Sequence, residues 1–473
     1  MKVYLVNPPA SSGRKIVREG RCMQRKGAWT TVWPPVTLAT MGAMLLESGV
    51  QVKLSDCIVE NITHRGLKEK ISAFCPDLLV INTATTSIDS DLWCAESAKE
   101  VSAGVKTLAF GLHVTMLADE AFLKQPSLDF VIRGEPEFCL DELAGVLKQE
   151  GEHDLTGING LSYRQGLKII HNPDRGFDVS LDRLPYPAWE LVNINNYLLP
   201  LSQEPFLLIV TSKGCPHSCL FCPAKPFYGS SLRLRDLRKV ADEMCYVKER
   251  FGVREFLIWS ESFTEDRQYV IALCSEIIKR RLGVSWACNS RADKVDLEML
   301  KVMKQAGCWM IGYGIESGSQ EVLDASGKGI TVRQIEDALR WAKEAGLEVT
   351  GHLIFGLPQE TLSSGLKTIE WLVKSDIDFA QIYSAVPWPS TPLYQIAKLK
   401  GWLLSSNWEL YEQNHYILDT GSISPKEVKY LRRLAARRFY FSWRRIWRVF
   451  RKIDSFKKLY IFLKAIREFI SWL

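Results

Sequence analysis

Two successive series of short apolar runs, each separated by helical patterns, constrain this chain more than any other feature. In the first series VYLVN (3–7), VKLSDC (52–57), DLLVINT (77–83), TLAFGL (107–112) and DFVIRG (129–134) read as strands buried on both faces. The stretches 37–49, 63–74, 90–104 and 138–150 carry helical apolar spacing. Strands alternating with helices predict an α/β fold, with a doubly wound, flavodoxin-like sheet over residues 1–150. Ligands of such sheets bind beyond the carboxyl ends of the strands. Those ends carry Asn7, the run holding Thr85 and Thr86, Gly111 with His113, and Gly134 with Glu135. A long insert, 10–33, follows the first strand; loops of that length are functional or disordered.

The second series spans 206–400, with strands expected at 206–212, 255–260, 284–290, 310–316, 349–356 and 379–386. Six such units suggest a (β/α)6 partial barrel with its site at the strand carboxyl ends. Between the series, 151–205 is rich in Gly, Asn, Asp and Pro and reads as a linker with a hairpin at 161–171. Residues 401–473 form a basic helical region.

The formal charge of +6 is unevenly spread. From Lys426 onward 15 Lys and Arg face three acids, a net of +12, so the remainder sits near −6. The stretch reads as two amphipathic helices, with Leu459, Leu463, Ile466, Ile470 and Leu473 at helical spacing in the second. A helical cap with a solvated basic face is one reading. Contact with anionic lipid headgroups, or recruitment of a negatively charged substrate, is the other, and Trp443, Trp447 and Trp472 favour a membrane surface. No nucleic-acid module is visible, so no nucleic-acid partner is expected. The N-terminus lacks a signal-peptide pattern, and three prolines in 379–397 argue against a membrane span. The expected compartment is the cytoplasm, with peripheral membrane contact through the tail.

Twelve cysteines in such a chain are not a disulfide scaffold. Cys57, Cys75, Cys94, Cys139, Cys245 and Cys274 are isolated among apolar neighbours and read as small buried hydrophobes; Cys288 and Cys308 read as core. GCPHSCLFCP (214–223) is different: Cys215, Cys219 and Cys222 fall within eight residues. Thiolates select zinc, Cu(I) or iron–sulfur clusters. Structural zinc needs four protein ligands, and His217, wedged between two of the cysteines, would be strained as the fourth. A [4Fe–4S] cube held by three thiolates instead leaves one iron open to a small molecule.

The C-x3-C-x-aromatic-C pattern, with Phe221 as the aromatic, resembles the signature of radical S-adenosylmethionine (SAM) enzymes. Further segments resemble that family in its order: WSESF with Glu261, NSRAD with Arg291, GIESGS with Glu316 and Ser317, and HLIFGLPQET with Gly356. VPWPSTPLY resembles a later segment, with Ser390 where the family usually has glycine. The resemblance implies a [4Fe–4S] cluster on Cys215, Cys219 and Cys222, with SAM bound at the open iron. There it would contact Phe221, Glu261, Arg291, Glu316, Ser317 and Gly356. It implies reductive cleavage of SAM to a 5′-deoxyadenosyl radical, an external one-electron reductant such as flavodoxin or ferredoxin, and a small-molecule or lipid substrate. It names no catalytic acid or base in this chain.

The first 150 residues resemble the cobalamin-binding domain of the cobalamin-dependent subfamily, through the early NPP, WPPVTLATMGAMLLESG (33–49), GLHVT (111–115) and VIRGEPE (131–137). The D-x-H-x-x-G motif that supplies an axial histidine in some cobalamin proteins is missing. The resemblance implies cobalamin near Asn7, Thr85, Thr86, Gly111, His113, Gly134 and Glu135, and methylation of an unactivated carbon. Within the family, a cyclase or isomerase is the alternative. The non-enzyme alternative is a metal-stabilised protein that binds a membrane or RNA.

Overall fold

The structure is a computed structural model; it describes residues 1–10, 16–19, 24–25 and 31–442 except 152, 178 and 201, together with 445. The basic tail beyond 442, Arg445 apart, lies outside the described residues, and with it the second predicted amphipathic helix.

The first sheet is built as the apolar runs require. β1 (Lys2–Asn7) pairs in parallel with β2 (Gln51–Asp56) on one side and β3 (Leu78–Asn82) on the other. β4 (Lys106–Phe110) and β5 (Phe130–Ile132) continue the parallel order. Every residue of β3, LLVIN, is buried, as a strand covered by helices on both faces must be. Those covers include α1 (Val36–Glu47), α2 (His64–Phe74), α3 (Ile88–Val101) and α4 (Glu137–Leu147). The predicted hairpin forms as β6 (Leu161–Gln165) and β7 (Lys168–His171). It does not stand alone in a linker: β6 adds antiparallel to β5, with Phe130 opposite Tyr163, and extends the sheet to seven strands. Sequence alone misses two short helices, Leu112–Met116 and Ala118–Lys124, between β4 and β5.

The second sheet has six parallel strands in chain order: β8 (Phe206–Val210), β9 (Glu255–Trp259), β10 (Ser285–Ser290), β11 (Cys308–Glu316), β12 (Glu348–Phe355) and β13 (Phe379–Ser384). Helices α5 (Leu237–Phe251), α6 (Arg267–Lys279), α7 (Leu297–Gln305), α8 (Val332–Glu344) and α9 (Leu362–Lys374) alternate with them. Their starts are capped by the residue types that favour it. Asp236, Asp266 and Asp296 accept first-turn N–H groups, and Thr331 forms a capping box with Gln334. α10 (Pro425–Tyr440) packs on α9 and β13, and the Tyr440 hydroxyl donates to the Ala380 carbonyl at 2.6 Å.

The segment after β13 returns to the first sheet. Trp388, Trp408, Tyr411 and Ile417 share one apolar cluster with Ile88, Leu92 and Phe122, and the Trp408 indole N–H donates to Glu120 at 2.7 Å. Most isolated cysteines are buried, but Cys75 is exposed and Cys245 half-buried. Cys75 ends α2 in a left-handed conformation (φ 51°), which turns it to the surface. Among the described residues no helix is long and apolar enough to cross a membrane.

Candidate active site

The cysteine loop follows β8 at the carboxyl end of the second sheet. A ribbon of Ser212–Lys213 against Arg233–Leu234 brackets it. Gly214 opens it with φ +92°, and a Cβ there would lie 2.1 Å from the Ser231 carbonyl oxygen, so only glycine allows the approach. The loop is tied at several points. The Cys215 N–H donates to Gly229 O at 3.1 Å, Cys222 N–H to Cys219 O at 3.1 Å, and Leu220 N–H to Ser326 O at 3.0 Å. Cys215 is buried and the other two thiols are half-buried. All three, with Phe221, line one cavity of about 1160 Å³.

Acidic and basic side chains converge on the same cavity from successive strand ends. Glu261 comes from the loop after β9, Arg291 from that after β10, and Glu316 ends β11; each is at most 6 % exposed. The Arg291 guanidinium donates to Asp293 at 2.9 Å and to the Lys328 carbonyl at 2.9 Å, and lies 3.9 Å from the Cys219 sulfur. Glu316 sits at φ +63°, where non-glycine backbone is strained, and pairs with the Lys328 ammonium at 2.8 Å. Burial pushes the Cys219 thiol up, and the Lys328 charge opposes it. Lys328 is thus central to the site although the motifs do not contain it. The available signal was a single lysine in the short loop SGKGI beside the Glu316 segment.

Two predicted SAM contacts stand off the cavity wall. Ser317 is fully buried and its hydroxyl meets that of Thr368 at 3.0 Å. Gly356 (φ +90°) donates its N–H to Glu360, whose carboxyl burial pushes up to about 8.

The donor set fits a cluster better than zinc. His217 is engaged elsewhere: its Nε2 meets Glu265 at 2.8 Å, and Glu265 also pairs with Lys294 at 2.9 Å. Among the described residues no three His, Cys, Asp or Glu side chains converge to hold a single metal ion. Three thiols facing a roomy cavity suit a cube that offers its fourth iron to that space.

The candidate cobalamin residues fall in two places. Gly111 and Glu135 border a gap of about 60 Å³ between the two sheets, and Glu135 pairs with Arg233. Lys213 and Glu137 form a buried ion pair there at 2.7 Å. Asn7 lies beside it, accepting from Asn82 at 2.8 Å, and Gly134 donates its N–H to Thr115 at 3.0 Å. Thr85, Thr86 and His113 lie under the 386–417 segment, with the His113 ring 5.1 Å from that of Trp408. Burial pulls His113 down to about 4, so its ring is neutral. The buried Thr85 and Thr86 hydroxyls and both His113 nitrogens have no hydrogen-bond partner among the described residues, but none of the three lines the gap or the thiol-lined cavity, so no space for a ligand opens beside them. The gap itself is far below the roughly 300 Å³ that small-molecule sites begin at, whereas the thiol-lined cavity exceeds the usual range. Room for a corrin ring therefore lies in the larger cavity, which Glu19 and Trp33 border from the first domain. Glu19 borders both spaces, and burial pushes its carboxyl up to about 8.

A profile of the radical SAM superfamily matches residues 209–372. An uncharacterized methyltransferase of Pyrococcus horikoshii is 33% identical over 441 residues, covering 93% of this chain and 92% of its own. An anaerobic magnesium-protoporphyrin IX monomethyl ester cyclase of Cereibacter sphaeroides is 28% identical over 406 residues, covering 84% of this chain and 64% of its own. Among solved structures, the radical SAM methyltransferase TsrM of Kitasatospora setae, with cobalamin and a [4Fe-4S] cluster bound, superposes with TM-score 0.69. It is 17% identical and covers 90% of this chain and 81% of its own. OxsB, a cobalamin-dependent SAM radical enzyme with aqua-cobalamin and SAM bound, gives TM-score 0.73 at 18% identity, covering 92% and 66%.

Proposed function

The chain belongs to the radical SAM superfamily and has the fold of its cobalamin-dependent members, and from that premise we propose that it methylates an unactivated carbon with the help of cobalamin. The observation that carries the reading is the convergence of three thiols, Arg291, Glu261 and Glu316 on one cavity at the carboxyl end of the second sheet. In this reading 206–400 is a (β/α)6 partial barrel and the first 150 residues are the cobalamin domain.

Cys215, Cys219 and Cys222 would hold a [4Fe–4S] cluster that, with SAM on its open iron, supplies a 5′-deoxyadenosyl radical; cobalamin would supply the methyl group. Glu261 would accept the methionine ammonium, Arg291 would pair the carboxylate, Glu316 would accept the ribose hydroxyls and Phe221 would lie beside the cluster, all four lining the same cavity. Ser317 and Gly356 act behind the wall, Ser317 by anchoring the Glu316 segment to Thr368. Glu19 and Trp33 border the space that would receive the corrinoid, whereas Thr85, Thr86 and His113 lie buried under the 386–417 segment and line neither cavity. One cavity would take both reactants, so the substrate radical would meet its intended partner first. An external one-electron reductant completes the cycle.

The test is anaerobic reconstitution with iron, sulfide and hydroxocobalamin, followed by reduction in the presence of SAM. Brown protein, bound corrinoid and 5′-deoxyadenosine are expected, and Cys219→Ala should lose the colour and the product. A colourless protein holding only zinc would sink the reading.

A further inference from the structure

The base of the cysteine loop sets two cations against each other. In the ribbon of Ser212–Lys213 and Arg233–Leu234, Lys213 stands directly opposite Arg233. Like charges at such positions repel. The two side chains are 7 % and 12 % exposed, so solvent does little to screen them. Gly214 and Cys215 come next in the chain.

The compensating charge comes from the first sheet. Glu135 and Glu137 follow β5 at that sheet's carboxyl end. The Arg233 guanidinium donates to both Glu135 oxygens, one of them at 3.1 Å, and to the Tyr228 carbonyl at 3.1 Å. Lys213 Nζ donates to Glu137 at 2.7 Å and lies 3.8 Å from Glu135. The remaining ionisable side chains at this gap add no net charge. Arg18 pairs with Asp91, and burial pushes the Glu19 carboxyl up to about 8, which leaves it uncharged in neutral solution. Two carboxylates of the first sheet thus balance two cations of the loop base. Phe177, from the stretch between the sheets, completes the contact. Its ring lies 5.4 Å from the Arg233 guanidinium carbon, and a Cβ on Gly229 would meet it at 2.6 Å. The Gly229 carbonyl is the acceptor of the Cys215 N–H.

We propose that Glu135 and Glu137 are positioning residues for the cysteine loop, clamping its base from the first sheet so that the three thiols are held in register for the cluster. This rests on the reading of that loop as the cluster site. It gives Glu135 a place in the clamp instead of a contact with a corrinoid. Removing either carboxylate leaves a buried cation without its partner at the foot of the loop, and the ribbon then opens to let water reach it.

The experiment is hydrogen exchange of the full-length, cluster-free protein read by mass spectrometry, with Glu135→Gln and Glu137→Gln made singly. Peptides covering 212–234 should exchange at least about tenfold faster than in the wild type, while β9 and β12 keep their rates. Trp408→Phe loses the bond to Glu120 but leaves the clamp residues in place, and should not change exchange over 212–234. Adding Lys213→Met to Glu137→Gln removes the unpaired ammonium and should slow exchange there again. After reconstitution, both glutamine variants should lose iron to a chelator about tenfold faster, and the paramagnetic resonance signal of the reduced cluster should change shape. Should the glutamine variants fail to fold, Arg233→Lys decides the matter. It keeps the charge without the two-pronged hold on Glu135, and should speed exchange over 212–234 alone. Wild-type exchange in these variants overturns the proposal, as does protection lost evenly over both sheets, or an equal effect of Trp408→Phe. A wild type that takes up no cluster while the exchange results hold would instead overturn the functional reading and leave the clamp standing.

Discussion

At the residue scale the site depends on one buried cation. Lys328 and Glu316 are each 7 % exposed at the side chain and pair at 2.8 Å, while the Lys328 carbonyl holds Arg291. Removing one member of such a pair leaves a buried charge uncompensated, at a cost of about 3–5 kcal/mol. Lys328→Met should therefore lower the unfolding free energy by that order. It should also weaken SAM binding by titration, since Glu316 and Arg291 both lose a fixed partner. Glu360 provides a second residue-scale test. Its folded carboxyl lies at about 8 against an ordinary 4.5, because burial outweighs the hydrogen bonds from the Gly356 and Leu357 N–H groups. The native state then holds a proton that the unfolded chain releases. Stability from this group is complete below about 4.5 and is lost as pH rises through about 8. Glu360→Gln should remove that loss, so its midpoint temperature gains on wild type as pH rises across this window. The motif residues were legible because their types and order are distinctive. Lys328 was not, because nothing in one short loop says where its ammonium points.

Individual elements position these side chains, and glycine at the start of the cysteine loop matters most. Gly214→Ala would force a Cβ against the Ser231 carbonyl at φ +92°, a conformation that costs of order 1–3 kcal/mol for a non-glycine residue. Iron content after reconstitution should fall, while circular dichroism of the sheets stays unchanged. The strands themselves were legible because buried parallel strands are continuous apolar runs, as LLVIN in β3 is. The hairpin was legible as a hairpin but not as part of the first sheet, since its partner strand β5 lies some thirty residues earlier and local pattern carries no pairing information. Strand alternation reaches only part of β11. Gly312 and Gly314 share the inward phase of β11, but the ladder is irregular between Gly314 and Glu316 and Glu316 turns to φ +63°, so alternation alone does not place Ser317.

Across the whole molecule, the two sheets are joined by the segment that returns after β13. Trp408 packs against Tyr411 and His113 and bonds Glu120. Trp408→Ala should cost about 3–5 kcal/mol. In calorimetry it should split a single unfolding transition into two, as the first sheet loses its cover. The segment 386–417 contains one helix, Pro392–Leu399, but its spacing does not announce this return, because the anchors Trp388, Trp408 and Tyr411 are single aromatics outside that helix. The division into two βα series was plain from sequence; how the later chain closes over the first series was not. What unites the proposed function is the large cavity at the second sheet's carboxyl end, where Cys215, Cys219 and Cys222 would hold a cluster and leave one iron for SAM. The electron paramagnetic resonance spectrum of the reduced, reconstituted protein, recorded with and without SAM, tests this most directly. The account predicts that the cluster signal changes on adding SAM in the wild type and that Cys219→Ala shows no such signal. An intact cluster whose spectrum is indifferent to saturating SAM would contradict it.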